Sequence, residues 1–342
     1  MPTPSRSWPL GGVRLAGAVA AVGLIAACSH TGGGVQPGRS RGLTAQRDVT
    51  ATLVPVSTSR TWQRLFSIPY GPGHRELGLA DSHGGAVTAW GPEFGAQAED
   101  GSWWFLDVQK RRLAHYDDHG RYLGQVHIPG RYVGLQMLHV LRSGWMFASG
   151  GSPQASMISN GRTARRIELP TSYRDAVWDY DDGERIYGQS GEVMTISGWQ
   201  PQFSRGAPRR TAAGVPFIAF LNRTHGATVV LQRPDGPGPA LTRIHLRSRS
   251  ARRPLIAMYE VATDRADRIY LLVYGQSGHR QVGALLTVLP SGAIRSSRPI
   301  PNTFGAHDPG SPAHLRALLA SPRPAVIDDG KTALIVYLPG PS

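Results

Sequence analysis

Six short apolar segments recur along the chain, and each follows directly after a polar turn. They are rich in β-branched and aromatic residues, which is typical of buried β-strands. The turns, each with the segment that follows it, are Asp100-Gly101 before 103–106, Ser143-Gly144 before 145–148, Asp182-Gly183 before 186–187, His225-Gly226 before 228–231, Asp267-Arg268 before 269–274 and Asp329-Gly330 before 333–338. The pattern predicts six units, each with one buried strand.

Proline residues mark the ends of the same units. Aliphatic-Pro or basic-Pro pairs recur at intervals of roughly 40 residues, a period typical of propeller blades. These prolines are Pro69, Pro129, Pro170, Pro216, Pro254 and Pro301. The first interval is longer because it contains the Gly-rich stretch 71–91, which we interpret as an insertion. Further turns inside several units separate two more strands, so that a unit would hold about four strands, as a blade does.

The two ends of the chain complement each other. The final unit, 302–342, has no room for an outer strand after Leu338, whereas Trp62–Pro69 is a strand-like segment with no unit before it. A ring of sheets must close, since an unpaired strand edge would otherwise remain. We therefore predict an all-β fold for 46–342, a six-bladed β-propeller whose ring closes when Trp62–Pro69 joins the last blade.

One unit, 91–129, carries a recognisable motif. It has the turn Asp100-Gly101, a strand that ends in Asp107, a strand that begins with Arg112, and a second turn at Gly120. This order resembles NHL-type (TolB-like) six-bladed propellers, in which a DG turn, a strand ending in Asp, an arginine-led strand and a DG-like turn recur. The resemblance implies a propeller fold and says little about activity, because activity depends on sites rather than folds.

The first 27 residues have the features of an export signal. Arg6 and Arg14 precede an apolar run over 15–27, which is shorter than the about 20 residues that a membrane-spanning helix needs. The run ends in a segment that resembles the lipobox of bacterial lipoproteins, made of Leu24, Ile25, Ala26, Ala27 and Cys28. The resemblance implies cleavage before Cys28, a thioether from its sulfur to diacylglycerol, and a lipid anchor on the extracytoplasmic face of the cell membrane. The Gly-rich segment 28–45 is then expected to be a flexible tether.

The net charge of the chain adds little to the functional prediction. The chain has 37 basic and 23 acidic residues, a formal net charge of +14, and its only lysines are Lys110 and Lys331. The arginine clusters fall between the apolar segments, where solvated loops are expected. Attraction to an anionic membrane or wall polymer is therefore a better use of the charge than nucleic-acid binding. The single cysteine, Cys28, excludes a disulfide within the chain.

Six polar residues are weak candidates for a calcium site. Calcium-dependent lactonases of the propeller type place carboxylates and an asparagine at the mouth of the central channel, and Ca²⁺ needs six or more oxygen ligands. The candidates here are Glu93, Asp107, Asp175, Asn222, Asp264 and Asn302. Hydrogen bonding at turns and strand ends is the more ordinary explanation of such residues.

Structural roles explain the other motifs in the sequence. The histidines His115, His119 and His127 fall on predicted strands and a turn, where their spacing does not indicate zinc. The aspartates Asp179, Asp181 and Asp182 lack the closing glutamate of a calcium loop, which favours a β-turn. The repeated Gly-Gln-Ser-Gly of 188–191 and 275–278 lacks the spacing of a nucleophile elbow and is expected to form two hairpin loops. The tryptophans Trp103, Trp104, Trp145, Trp178 and Trp199 could line a sugar or peptide groove, although tryptophan between propeller sheets is usually core.

No catalytic set is visible, so we expect a binding module rather than an enzyme. Our favoured hypothesis is that the protein is a monomeric, membrane-anchored propeller without a cofactor. It would hold a protein, peptide or glycan at the cell envelope. A calcium-dependent hydrolase or lactonase is the main alternative. A structural partner in an envelope complex is the third possibility, and a large apolar patch on one face would favour it.

Overall fold

A computed structural model describes residues 47–53, 61–79, 95–129, 136–150, 154–174, 176–222, 228–232, 242–248, 256–277, 280–301, 314–316, 324–330 and 332–340. These residues form 25 β-strands and one turn of 3-10 helix, Thr171–Tyr173. The fold is therefore all-β, with several four-stranded sheets, as the apolar pattern predicts. Within the described part, no helix is long and apolar enough to cross a membrane.

The first two strands, β1 Arg47–Leu53 and β2 Trp62–Pro69, belong to later sheets, and the next twelve strands form three four-stranded sheets. Their strands are, in sheet one, β3 Gly95–Gln97, β4 Trp103–Asp107, β5 Arg112–Tyr116 and β6 Tyr122–His127; in sheet two, β7 Gln136–Val140, β8 Trp145–Gly150, β9 Gln154–Ser159 and β10 Thr163–Glu168; in sheet three, β11 Trp178–Asp181, β12 Arg185–Gly188, β13 Glu192–Thr195 and β14 Gln202–Arg205. Each of these sheets is an antiparallel meander in chain order.

Three further sheets complete the described part. Their strands are β15 Arg209–Arg210, β16 Pro216–Asn222, β17 Thr228–Gln232 and β18 Thr242–Ser248 in sheet four; β19 Ile256–Thr263, β20 Ile269–Ser277, β21 Arg280–Val288 and β22 Ile294–Pro299 in sheet five; β23 His314–Arg316, β24 Ala325–Asp329 and β25 Ala333–Pro339 in sheet six. The N-terminal strands β1 and β2 add to sheets four and six.

Turn chemistry explains why the buried strands begin where they do. Gly101, Gly144 and Gly183 have φ values of 88°, 80° and 86°, which glycine adopts without steric cost. In sheets one, two, three and five, the predicted turn joins the first strand to the second. In sheet four the prediction is out of phase by one strand, because 225–226 lie outside the described residues between the second strand, β16, and the third, β17; the turn between β15 and β16 instead contains Gly214, with a φ of 92°. In sheet six the prediction is out of phase by one strand, because 329–330 joins the second strand, β24, to the third, β25.

The N-terminal strands pair with distant parts of the chain. Strand β2 is antiparallel to β25, from Trp62 opposite Pro339 to Pro69 opposite Ala333. This is the pairing that the sequence predicts. Strand β1 was not predicted: it pairs in parallel with β18, which gives sheet four a fifth strand.

Buried apolar clusters join the sheets in chain order. One cluster spans sheets one and two, another spans sheets two and three, and the largest contains residues of sheets three, four and five. A fourth cluster joins sheets five and six. The last one packs Phe105 of sheet one against Ile327 of sheet six. Each sheet thus shares a core with the sheet before and after it, and the sixth shares one with the first.

Candidate binding site between sheets three and four

A cavity of about 430 Å³ lies between sheets three and four. One wall contains the end of β12 and the hairpin loop after it, and the other contains the start of β16. The lining residues are Tyr187, Gly188, Gln189, Ser190, Gly191, Gly206, Ala207, Pro208, Arg209, Phe217, Ile218 and Ala219. Aromatic and small apolar side chains on one side thus oppose polar side chains and main-chain groups on the other.

Glycines shape the polar wall. Gly191 and Gly206 have φ values of 86° and 82°, so both adopt a conformation that disfavours other residues. A Cβ on Gly188 would lie 2.5 Å from the Glu192 carboxylate, which is too close for a real contact. Small residues at these positions therefore keep the wall thin and the cavity open.

The main-chain donors of the hairpin loop are already used. The N–H groups of Gln189, Ser190, Gly191 and Gly206 donate to Val177 O, Glu192 Oε2, Gly188 O and Gly191 O at 3.0, 3.0, 3.3 and 3.0 Å. The loop thus differs from an anion-binding nest, in which successive N–H groups point at the ligand. The side chains of Gln189 and Ser190 are exposed.

The cation that lines the cavity is neutralised by an aspartate. Nη2 of Arg209 donates to both carboxylate oxygens of Asp179 at 2.9 Å. Burial raises the pKa of Asp179, and the adjacent Arg209 opposes that rise. Because the pair is compensated internally, the cavity carries little net charge from it, which favours an uncharged ligand over an anion.

A second polar pair supports the Tyr187 wall. The Tyr187 hydroxyl donates to Asp182 Oδ2 at 2.7 Å, and Asp182 Oδ1 accepts hydrogen bonds from the N–H groups of Glu184 and Arg185. Burial raises the pKa of Asp182. The turn predicted at 182–183 is therefore present, whereas Asp179 lies within β11 and forms the ion pair with Arg209.

A histidine of sheet two contacts both ends of β11 in sheet three. His139 lies within hydrogen-bond distance of Asp181 Oδ2 through Nδ1 (2.8 Å) and of the Trp178 carbonyl through Nε2 (3.0 Å). The pair is internal and has no contact with the cavity lining, so we assign it a structural role.

Of the six calcium candidates, only Asp107 and Asp264 have side chains within the described residues. Asp107 pairs with Arg112 at 2.9 Å, and Asp264 pairs with Arg268 at 2.6 Å and accepts a hydrogen bond from Tyr270 at 2.9 Å. The two aspartates belong to sheets one and five and bind different arginines. Asn222 pairs with Thr228 through the backbone. The remaining candidates, Glu93, Asp175 and Asn302, lie outside the described residues, as do the leader and Cys28.

The three histidines singled out in the sequence have separate surroundings. The ring of His115 stacks on Trp104 with centroids 3.9 Å apart, and burial lowers its pKa. His119 lies in an exposed turn with Asp117 and Asp118, the one group in the described part whose ligand atoms are close enough to hold a metal ion. Asp117 already binds Arg121 and the His119 N–H, so turn formation accounts for this group.

The tryptophans divide into two classes. Trp103, Trp104 and Trp178 are buried, with exposed fractions of 0%, 6% and 1%, so the core interpretation is correct for them. Trp145 and Trp199 are only partly buried, and their rings meet at right angles with centroids 4.9 Å apart. The Gly-Gln-Ser-Gly of 188–191 forms the predicted hairpin loop, which the sequence did not identify as a cavity wall.

Comparison with known proteins gives a family and distant structural likenesses. The family model described as "Domain of unknown function (DUF7485)" matches residues 60–338. No curated protein sequence matches the chain. A putative exported protein from Bacteroides fragilis is similar in structure, with 6% identity, 86% of this chain and 100% of that chain covered, and a TM-score of 0.49.

Two further solved structures show a weaker likeness. One is catalytically inactive virginiamycin B lyase from Staphylococcus aureus with quinupristin, with 7% identity, 77% and 99% coverage and a TM-score of 0.40. The other is the calcium-binding protein regucalcin from Agrobacterium tumefaciens, with 10% identity, 87% and 98% coverage and a TM-score of 0.40. All three TM-scores are below 0.5, so no functional conclusion follows from them.

Proposed function

We propose that this chain, which belongs to the DUF7485 family, is a lipid-anchored, extracytoplasmic β-propeller that binds an uncharged peptide or glycan. The observation that carries the proposal is the cavity between sheets three and four, because its volume of about 430 Å³ and mixed lining match those of small-ligand sites. The proposal includes a monomeric, NHL-like ring of six blades.

Two structural features support the ring. The sheets share cores in cyclic order, with Phe105 of the first against Ile327 of the last. Strand β2 supplies the fourth strand of sheet six from the other end of the chain. In such a ring each sheet buries both faces, as in β4, all of whose residues are buried.

The same ring weakens the calcium alternative. In a propeller the first strands of all blades run in the same direction, and the second strands run in the opposite direction. Asp107 ends a second strand, β4, and Asp264 follows a first strand, β19, so the two carboxylates belong to opposite faces of the ring. They would not meet at one channel mouth, and each already has an arginine partner.

The ligand class follows from the cavity lining. The loop contributes the amide and hydroxyl groups of Gln189 and Ser190, while Tyr187 and Phe217 contribute aromatic surface. A ligand with hydroxyl or amide donors and some apolar surface satisfies both walls. Sugars and peptides have this chemistry, and free phosphates or carboxylates do not.

The cavity lies near the end of sheet four at which β1 begins. Ile218 is opposite Gln232, Leu231 is opposite Thr242, and Thr242 is opposite Arg47, the first residue of β1. The first described strand therefore begins at the end of the sheet that also carries the cavity.

Filling the cavity mouth tests the binding proposal. We expect Ser190→Trp to weaken binding of soluble neutral oligosaccharides or short end-capped peptides at least about tenfold, because the indole occupies the space that the ligand needs. The matched control, Ser67→Trp, places the same side chain at an exposed position of β2. Isothermal titration with both variants gives the comparison. Equal affinities for the two variants, at equal melting temperatures, would rule out this cavity as the site.

The lipid anchor has its own test. We expect the N-terminal peptide of the mature protein to begin at Cys28 and to carry a diacylglyceryl group, because the thiol is the acceptor and Ala26 and Ala27 permit cleavage. Two acyl chains hold a protein stably, since each buried methylene contributes about 0.8 kcal/mol. Mass spectrometry of wild type and Cys28→Ala decides the matter. An unmodified thiol in the mature wild type would refute the lipid anchor.

A further inference from the structure

The seam between sheets two and three has a line of half-buried aromatic side chains at its outer rim. We call this surface the aromatic seam and define it by Trp145, Tyr173, Trp199, Phe203, Arg165 and Arg205. The aromatic rings contact each other in two pairs, Trp145 with Trp199 and Tyr173 with Phe203, each with centroids 4.9 Å apart. All four pack against the core without being enclosed by it.

Each aromatic pair carries an arginine on a ring. The Arg165 guanidinium lies 4.4 Å from the Trp199 ring centroid, and that of Arg205 lies 5.2 Å from the Tyr173 centroid. Both arginines are exposed, and the only ion pair of Arg205 in the described part is a long one to Glu192, at 3.8 Å. The seam thus presents cations that rest on aromatic rings.

The surroundings add to the positive charge. Arg174, which follows the 3-10 helix, is also exposed. Arg162, in the turn before β10, and Arg166, on β10, are exposed at the outer strand of sheet two, where Arg166 alternates with Arg165 and shares the sheet-one side of the strand with the exposed acid Glu168. A polyanionic surface therefore has several charges to pair with and little to repel it.

We propose that the aromatic seam docks onto an anionic lipid bilayer surface. The proposal rests on the proposed function, because the lipid anchor would hold the domain next to that surface at a high effective concentration. Half-buried tryptophan and tyrosine rings match the membrane interface, where one end of the side chain is apolar and the other is hydrated. Arginines beside them reach anionic headgroups.

The geometry disfavours the other polyanions. Sugar rings and nucleobases bind tryptophan by stacking on an open ring face, whereas guanidinium groups already lie over Trp199 and Tyr173. Lipid phosphates need only the guanidinium groups and the ring edges, so they leave this arrangement intact.

The test uses the full-length protein extracted from membranes and reconstituted into vesicles. A fluorophore is attached at Ser172→Cys, beside the seam, and a control fluorophore at Ser67→Cys on β2; both native serines are exposed. Nitroxide groups on the lipid headgroups quench a fluorophore that lies at the surface. The vesicles contain phosphatidylcholine alone or mixed with phosphatidylglycerol.

We expect quenching at position 172, stronger in vesicles with phosphatidylglycerol and weakened by added salt, and little quenching at position 67. Arg165→Gln with Arg205→Gln should lower the docking equilibrium about fivefold for each arginine removed. The matched control, Arg243→Gln with Arg247→Gln, removes the same charge from exposed positions of β18 and should change quenching little.

Three results would overturn the docking proposal. They are equal quenching at both positions, no dependence on phosphatidylglycerol, or an equal loss in the control variant. Protection of the label by polyglutamate or DNA, without quenching by vesicles, would assign the seam to a different class of partner. The mass of the Cys28 peptide from the same preparation reports the anchor separately, so that failure of the anchor and failure of docking are distinguishable.

Discussion

Replacing Arg112 with methionine is expected to lower the free energy of unfolding by about 3–5 kcal/mol, the usual cost of removing one partner of a buried ion pair. Arg112 and Asp107 are 3% and 0% exposed, and Nε of Arg112 lies 2.9 Å from Asp107 Oδ2. The variant would leave the carboxylate buried without its cation. A loss of this size is a large fraction of the stability of an ordinary domain, about 5–15 kcal/mol.

Arg112 also fastens the segment that leads from β2 to sheet one. Its guanidinium donates to the carbonyls of His74 and Glu76 and to the side chain of Gln125. The Lys110 ammonium donates to the carbonyls of Gly73 and Glu76 at 2.6 and 2.8 Å. We therefore expect the loss of Arg112 to increase hydrogen exchange in 73–78 more than in the sheets.

A neighbouring ion pair provides the control. Arg121 Nε and Asp117 Oδ2 lie 2.6 Å apart in the turn between β5 and β6 of the same sheet, and Arg121 is 81% exposed. Exposed pairs contribute about 0–1 kcal/mol, so Arg121→Met should have a small effect. Urea unfolding of both variants measures the difference. Equal losses would mean that the Asp107–Arg112 pair owes its role to something other than burial.

The Asp107–Arg112 pair shows which features of the fold could be predicted from the sequence and which could not. The strand that ends in Asp107 and the strand that begins with Arg112 were both predictable, because the turns and apolar runs around them are local signals. The role of Asp107 was not, since the carbonyls that Arg112 binds lie in the Gly-rich stretch interpreted as an insertion. An acid at a strand end has the same appearance in sequence whether it binds a metal or an arginine.

Strand β1 illustrates a different limit. Val49, Ala51 and Leu53 alternate with polar residues, so the signal for a half-buried strand is present. Its partner β18 is nearly 200 residues away, at Thr242–Ser248, and nothing local indicates a parallel pairing with it. For the same reason the cavity was missed, because Gly188 and Ala219 meet only when sheets three and four pack together.

The second large effect is expected from the loss of β2, the strand that pairs with β25 in sheet six. Removal of residues 1–69 is expected to abolish cooperative folding. Strand β2 contributes Trp62, Phe66 and Ile68, which are 9%, 5% and 1% exposed. Burial of such side chains contributes about 1.5–3 kcal/mol each, so the sum is comparable with the whole stability of a domain. Removal of 1–46 should leave the melting temperature nearly unchanged, because it spares β1 and β2.

A peptide provides the decisive measurement for this closure. A synthetic peptide of residues 47–69 contains β1 and β2, the two strands that the truncated chain lacks, so adding it to that chain should restore a cooperative thermal transition. The same peptide with Phe66→Ala should restore it poorly, because Phe66 meets Trp103 edge to face, with centroids 5.6 Å apart, in the core between sheets six and one. If the truncated chain unfolds with the wild-type midpoint without any peptide, β2 is an accessory strand and the ring is not closed in the way proposed here.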